Sequence, residues 1–132
     1  MSARILDTSV LLRHWKHRSG ASLAGRTPDD AQHRAREAMD LYRSNVIVTA
    51  VYVEFIAGVR SSDELRLAER YLAQFKLLDD GESTKEDWEA AKRIAWRVPR
   101  SGKPRHLGDC LIRATAKRLR RDVYTLDKDF PK

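Results

Sequence analysis

A three-layer α/β/α sandwich around a central parallel sheet of about four strands is the fold this sequence predicts, and three observations predict it. Short apolar runs alternate with longer amphipathic stretches, which is the pattern of βαβ units. Two of those runs, Ala3 to Leu6 and Val123 to Leu126, close directly on a carboxylate, Asp7 and Asp127 respectively. The 132 residues contain no internal repeat or low-complexity tract and suit one domain over 1–132 with a sizeable core.

Taken in order, strand one is Ala3 to Leu6, followed by a short helix over Ser9 to Trp15 and a surface loop over 16–27 marked by Ser19, Gly20 and Gly25. Thr27 caps the next helix, since Pro28 suits its first position and Asp30 its third. Ala31, Ala35, Ala38 and Tyr42 stripe that helix, which ends near Ser44 and Asn45. Strand two is Val46 to Thr49 and runs into an apolar helix over Val51 to Val59. A longer amphipathic helix carries Leu65, Ala68, Leu72 and Phe75. Leu77 and Leu78 form a short third strand, ended by the turn Asp79-Asp80-Gly81. Ser83 and Glu86 make a capping box before a helix with Trp88, Ala91, Ala95 and Val98, which Pro99 stops. After the basic loop 100–105, Asp109 opens a helix over Cys110 to Arg120, and strand four begins at Asp122 or Val123.

Composition excludes several functions. The single cysteine, Cys110, forms no intramolecular disulfide and reads as a buried thiol in an apolar stretch. His14, His17, His33 and His106 lack zinc spacing, and His14 and His17 read as part of a basic surface with Arg13, Lys16 and Arg18. Phosphate-cradling and dinucleotide-binding glycine loops are both missing. So is the second aspartate, two residues after Asp7, that a phosphoaspartate-forming phosphatase needs. No apolar run reaches membrane-spanning length and no signal peptide leads the chain, so a cytoplasmic protein is expected. Trp15, Trp88 and Trp96 read as packing residues.

Asp7, Glu54, Asp109 and Asp127 all fall at strand ends or helix starts. In open α/β sheets those points converge on a crevice outside the carboxyl ends of the strands. Each acid has a plain structural reading: a cap for Asp7, an arginine partner for Glu54, helix-dipole complementarity for Asp109, a charged terminal turn for Asp127. Gathered together, four like charges repel unless cations lie between them, and Mg²⁺ or Mn²⁺ suits such oxygen ligands. Asp129 competes with Asp127 for this role. The formal charge of +7 adds a basic exterior that suits polyanions. Metal-assisted hydrolysis of a phosphodiester is the chemistry expected, with Asp7, Asp109 and Asp127 holding ions and Glu54 ligating them or orienting water. Arg13, Lys16, Arg100, Lys103, Arg105 and Arg113 are the cations expected to meet a phosphate backbone. The competing expectations are a non-catalytic RNA-binding module of the same fold and a small-substrate phosphatase.

Four segments, Ile5 to Val10, Glu54 to Gly58, Gly108 to Ile112 and Thr125 to Phe130, stand in the order found in PIN-domain ribonucleases, and the chain resembles in particular the VapC-type toxins of bacterial toxin–antitoxin systems. The resemblance implies a PIN-like fold, a metal site of Asp7, Glu54, Asp109 and Asp127, and support from Thr8 or Ser9 and Thr125. It also implies a Mg²⁺- or Mn²⁺-dependent endoribonuclease, often acting on structured RNA such as tRNA, a homodimer, and inhibition by a cognate antitoxin. Arg113 stands where the family usually has a small residue, the segment 16–27 is an enlarged loop, and the chain stops just after the terminal Asp-Phe motif, where relatives carry a final edge strand.

Overall fold

The computed structural model describes residues 3–18, 27–97 and 102–132. Its elements run β1 (Ile5–Leu6), α1 (Thr8–Arg18), α2 (Pro28–Tyr42), β2 (Val46–Ile47), α3 (Thr49–Ala57), α4 (Ser62–Leu72), β3 (Lys76–Leu77), α5 (Lys85–Trp96), α6 (Leu107–Arg118) and β4 (Val123–Tyr124). The four strands form one parallel sheet in the order β3-β2-β1-β4. The central strands β1 and β2 are buried on both faces, as a sheet covered by helices on each side requires. This is the α/β/α sandwich that the alternating pattern predicts.

The main core joins those strands to α1, α2, α3 and α4, with Trp15, Phe55, Tyr71 and Phe75 in mutual ring contact. Burying each such side chain contributes roughly 1.5–3 kcal/mol, so this cluster fixes α1 and α3 relative to the sheet. A second, smaller core of Ala91, Ile94, Cys110, Leu111 and Ala114 zips α5 to α6. Between those helices the fully buried Asp87 accepts two hydrogen bonds from Arg118, at 2.7 and 3.0 Å.

Several expectations need correction. Strands are two residues long, and Thr49 opens α3 instead of closing β2. Helix α1 runs from Thr8 to Arg18, so Lys16 is helical; residues 19–26 of the expected loop lie outside the described set. His14 is buried, not part of a basic surface: Nδ1 bonds the Tyr71 hydroxyl at 2.9 Å and Nε2 faces Glu37 at 3.2 Å. Helical phase explains this, because His14 and Trp15 follow Val10 and Leu11 by one turn. Phe75 lies beyond the end of α4. The cap of α5 is Thr84 with Asp87, one residue later than the Ser83 and Glu86 pair. That shift directs Asp87, Ala91 and Ile94 inward, and leaves Trp88 and Trp96 at 44% and 86% exposure, so neither is a packing residue. The Thr27 capping box forms as expected. Val98, Pro99 and Arg100 lie outside the described residues.

Candidate metal centre

Parallel pairing of β1 with β4 puts the residue after each strand at the same end of the sheet. Asp7 leaves β1 there and starts α1, its carbonyl accepting the amides of Val10 and Leu11. Its Oδ2 takes two hydroxyl donors, Ser9 at 2.8 Å and Thr125 at 2.7 Å. Each hydroxyl is itself anchored: Ser9 Oγ accepts the Leu126 amide and Thr125 Oγ1 accepts the Asp127 amide. The other oxygen, Asp7 Oδ1, is buried with no hydrogen-bond partner.

Glu54 arrives from the second turn of α3. The start of that helix has no side-chain cap of its own, because its N-cap is Val48. Asp79, at the end of β3, supplies one instead: its two oxygens accept the Thr49 amide at 3.1 and 3.0 Å, and Oδ1 also accepts the Thr49 hydroxyl at 2.8 Å. Asp79 and Asp80 do form the expected turn, with Asp80 and Gly81 at positive φ, yet Asp79 also fixes the helix that carries Glu54. Glu54 Oε1 accepts the Thr8 hydroxyl at 2.6 Å. Its carboxylate lies so close to the Gly108 backbone that a Cβ on residue 108 would overlap it. A larger residue here would have to push the Glu54 carboxylate aside.

Asp109 sits in the first turn of α6, which packs on α3. Oxygens of Asp7, Glu54 and Asp109 all come within 4.8 Å of one another. Burial raises the Asp109 pKa to about 6, with Asp7, Glu54 and Asp127 adding to the rise and His106 opposing it. Glu54 is raised too, by burial first; the Thr8 bond lowers it, Asp7 raises it and His106 lowers it. Two carboxyl groups pushed toward their protonated form, beside a third with an orphaned buried oxygen, fit a hard divalent cation.

Asp127 stands outside this group of three but near enough to act on Asp109. Its Oδ1 accepts the Asp129 amide at 2.9 Å, and its own amide bonds Thr125. Asp129 is exposed and joins the network only through its backbone. A cleft of about 430 Å³ opens beside Asp127 and Thr125, with Arg4, Arg113 and Lys128 among its walls. Arg13, Lys16 and Lys103 are exposed, whereas Arg105 gives its donors to the carbonyls of Arg97 and Asp129. Arg100 is outside the described residues. Gly108, Asp79 and His106 all shape the site and carried no such role in the sequence; glycine immediately before a helix-opening aspartate was the available signal.

Residues 4–132 match the family model described as PIN domain, and the chain belongs to that family. No curated protein matches the chain. PIN domains are generally metal-dependent nucleases that bind divalent cations, and the acidic cluster fits that chemistry. No helix among the described residues is long and apolar enough to cross a membrane.

Proposed function

We propose that this PIN-domain protein is a Mg²⁺- or Mn²⁺-dependent endoribonuclease that acts in the cytoplasm as the toxin of a VapC-type toxin–antitoxin pair. The observation that carries the nuclease reading is the gathering of Asp7, Glu54 and Asp109 around the unpartnered Asp7 Oδ1. A divalent cation bound there lowers the pKa of a bound water and stabilises charge developing on a phosphodiester.

The chain's own residues divide the remaining work. Ser9 and Thr125 hold one Asp7 oxygen and so aim the other. Thr8 fixes one oxygen of Glu54, leaving the second to orient water for attack. Asp109, its pKa raised to about 6 by burial and its acidic neighbours, would be held in the carboxylate form by a bound cation. Asp127 supports the same charge from the rim. No histidine base is required.

Purified protein should cleave a mixed RNA pool with Mg²⁺ or Mn²⁺ and stop when the metal is chelated. Asp7→Asn should lower cleavage by about 100-fold or more while retaining the fold, because it removes the charge of the buried member of the cluster. Retention of wild-type cleavage in Asp7→Asn sinks the metal assignment; RNA binding without cleavage by the wild type favours a non-catalytic module. The toxin role is tested in cells. Expression alone should arrest bacterial growth, and a cognate antitoxin, inserting an arginine among the carboxylates, should restore it.

A further inference from the structure

Beyond the carboxylates, α6 carries Asp109, Arg113 and Lys117 at four-residue intervals, about 6 Å apart along the helix, the first two half-buried and Lys117 exposed. Arg93 of α5 lines one cleft with Lys117, and Arg97 follows directly after the end of α5. Burial first, then Arg113, Arg97 and Arg93, pushes the Lys117 pKa below its ordinary value, in keeping with the shared cleft of Arg93 and Lys117. Glu86 and Glu89 border the cleft that Arg93 and Lys117 line, and Glu89 pairs there with Lys92 at 3.2 Å instead of with either of them. None of Arg93, Arg97, Arg113 and Lys117 carries an ion pair among the described residues. Arg113 Nε is moreover buried without a hydrogen-bond partner, while its side chain lines the cleft beside Asp127. Trp96, 86% exposed, stands three residues from Arg93 and next to Arg97. Mutual repulsion among four cations is a standing cost that a chain of negative charges removes.

We propose that the α5–α6 hairpin is a strand-binding track: a single-stranded polynucleotide leaves the carboxylate site along α6, with successive phosphates on Arg113 and on Lys117 with Arg93, and with a base stacked on Trp96. The direction of this track rests on the nuclease reading, since it starts at Asp109. Cations spaced by one helical turn suit a repeating phosphate backbone, and an isolated exposed indole beside them suits a base face. An acidic peptide would use the cations but gain little from the indole.

The test measures binding apart from cleavage. In the cleavage-dead Asp7→Asn background, a labelled mixed-sequence RNA of about 12 nucleotides is titrated by anisotropy at several salt concentrations. Arg113→Gln with Lys117→Gln should weaken binding by about 10-fold or more and reduce the salt slope by about two. Trp96→Ala should weaken it by about 5-fold or more and abolish the quenching of indole fluorescence by RNA. Arg70→Gln with Lys76→Gln, at the far edge of the sheet, should change neither quantity, and circular dichroism verifies the fold of every variant. Unchanged affinity and slope in the Arg113 and Lys117 double variant overturn the track, as does polyglutamate competing as tightly as RNA. If the wild type cleaves RNA while the track variants bind normally, the track fails and the nuclease reading stands. If the track signatures appear but no metal supports cleavage, the nuclease reading fails and the track stands.

Discussion

Asp109 shows how a single carboxyl can report the state of the whole centre. Burial and its neighbours favour the protonated form, so the metal-free fold keeps a proton there up to about pH 6 that the unfolded chain releases near pH 4. Folded protein thus binds more protons than unfolded protein in that window, and stability from this group falls as pH rises through it. Thermal unfolding of metal-free protein should therefore show a lower Tm at pH 7 than at pH 5 from this group, with the difference reduced in Asp109→Asn. Divalent metal should raise Tm more above pH 6 than below it, because it competes with the proton. Gly108 offers a second check. Gly108→Ala places a methyl in the space of the Glu54 carboxylate, so cleavage should fall by about 10-fold or more while Tm changes little; an unchanged rate would remove Glu54 from the mechanism. Asp7, Glu54 and Asp109 could be picked out in the sequence because they respectively end a strand, interrupt an apolar helix and open a helix. His14 could not, since its basic neighbours Arg13 and Lys16 concealed its phase with Val10 and Leu11. Its burial depends on Tyr71, a partner 57 residues away.

Among the elements, α3 and α6 carry two of the three clustered acids, and each is fixed by a contact that its own sequence does not announce. Asp79 caps α3 across 30 residues, and Asp87 ties α5 to α6 through Arg118. Burial alone would raise the Asp87 pKa, but hydrogen bonds from Arg118 and Thr84 outweigh it and hold it below the ordinary value. Its contribution is accordingly present above the unfolded pKa and lost as pH falls through the folded one. Asp87→Ala leaves Arg118 without its partner and removes a cap, and should destabilise by about 3 kcal/mol in urea unfolding. Ser83→Ala should stay within about 0.5 kcal/mol, which separates the cap used from the adjacent pair that matches the same pattern. Ser83 with Glu86 and Thr84 with Asp87 are equally good local signals. Only the distant arginine decides between them, and the one-residue shift that follows turns Trp88 and Trp96 outward. Helix existence and order were readable from periodicity. Strand limits were not, because two paired residues suffice in a sheet whose flanking residues turn at once into caps and acids.

At the scale of the molecule, a net charge of +7 surrounds an acidic centre, so long-range attraction gathers polyanions and the centre needs cations to admit them. Cleavage at fixed RNA concentration should fall steeply as salt rises from about 50 to 200 mM, with kcat preserved at saturating RNA. We expect a two-fold dimer, the commonest closed assembly, and light scattering at tens of micromolar checks it. A final consequence lies in the hydrogen bond from Thr125 to Asp7, which spans 118 residues. A ribosome adding about 5–20 residues per second takes roughly 6 to 24 s to supply that hydroxyl after Asp7 has been made. Throughout synthesis, β1 lacks its β4 neighbour and Asp7 lacks one of the two donors that aim it. On the proposed nuclease reading, cleavage should therefore appear only once β4 has joined β1 and supplied the Thr125 hydroxyl to Asp7.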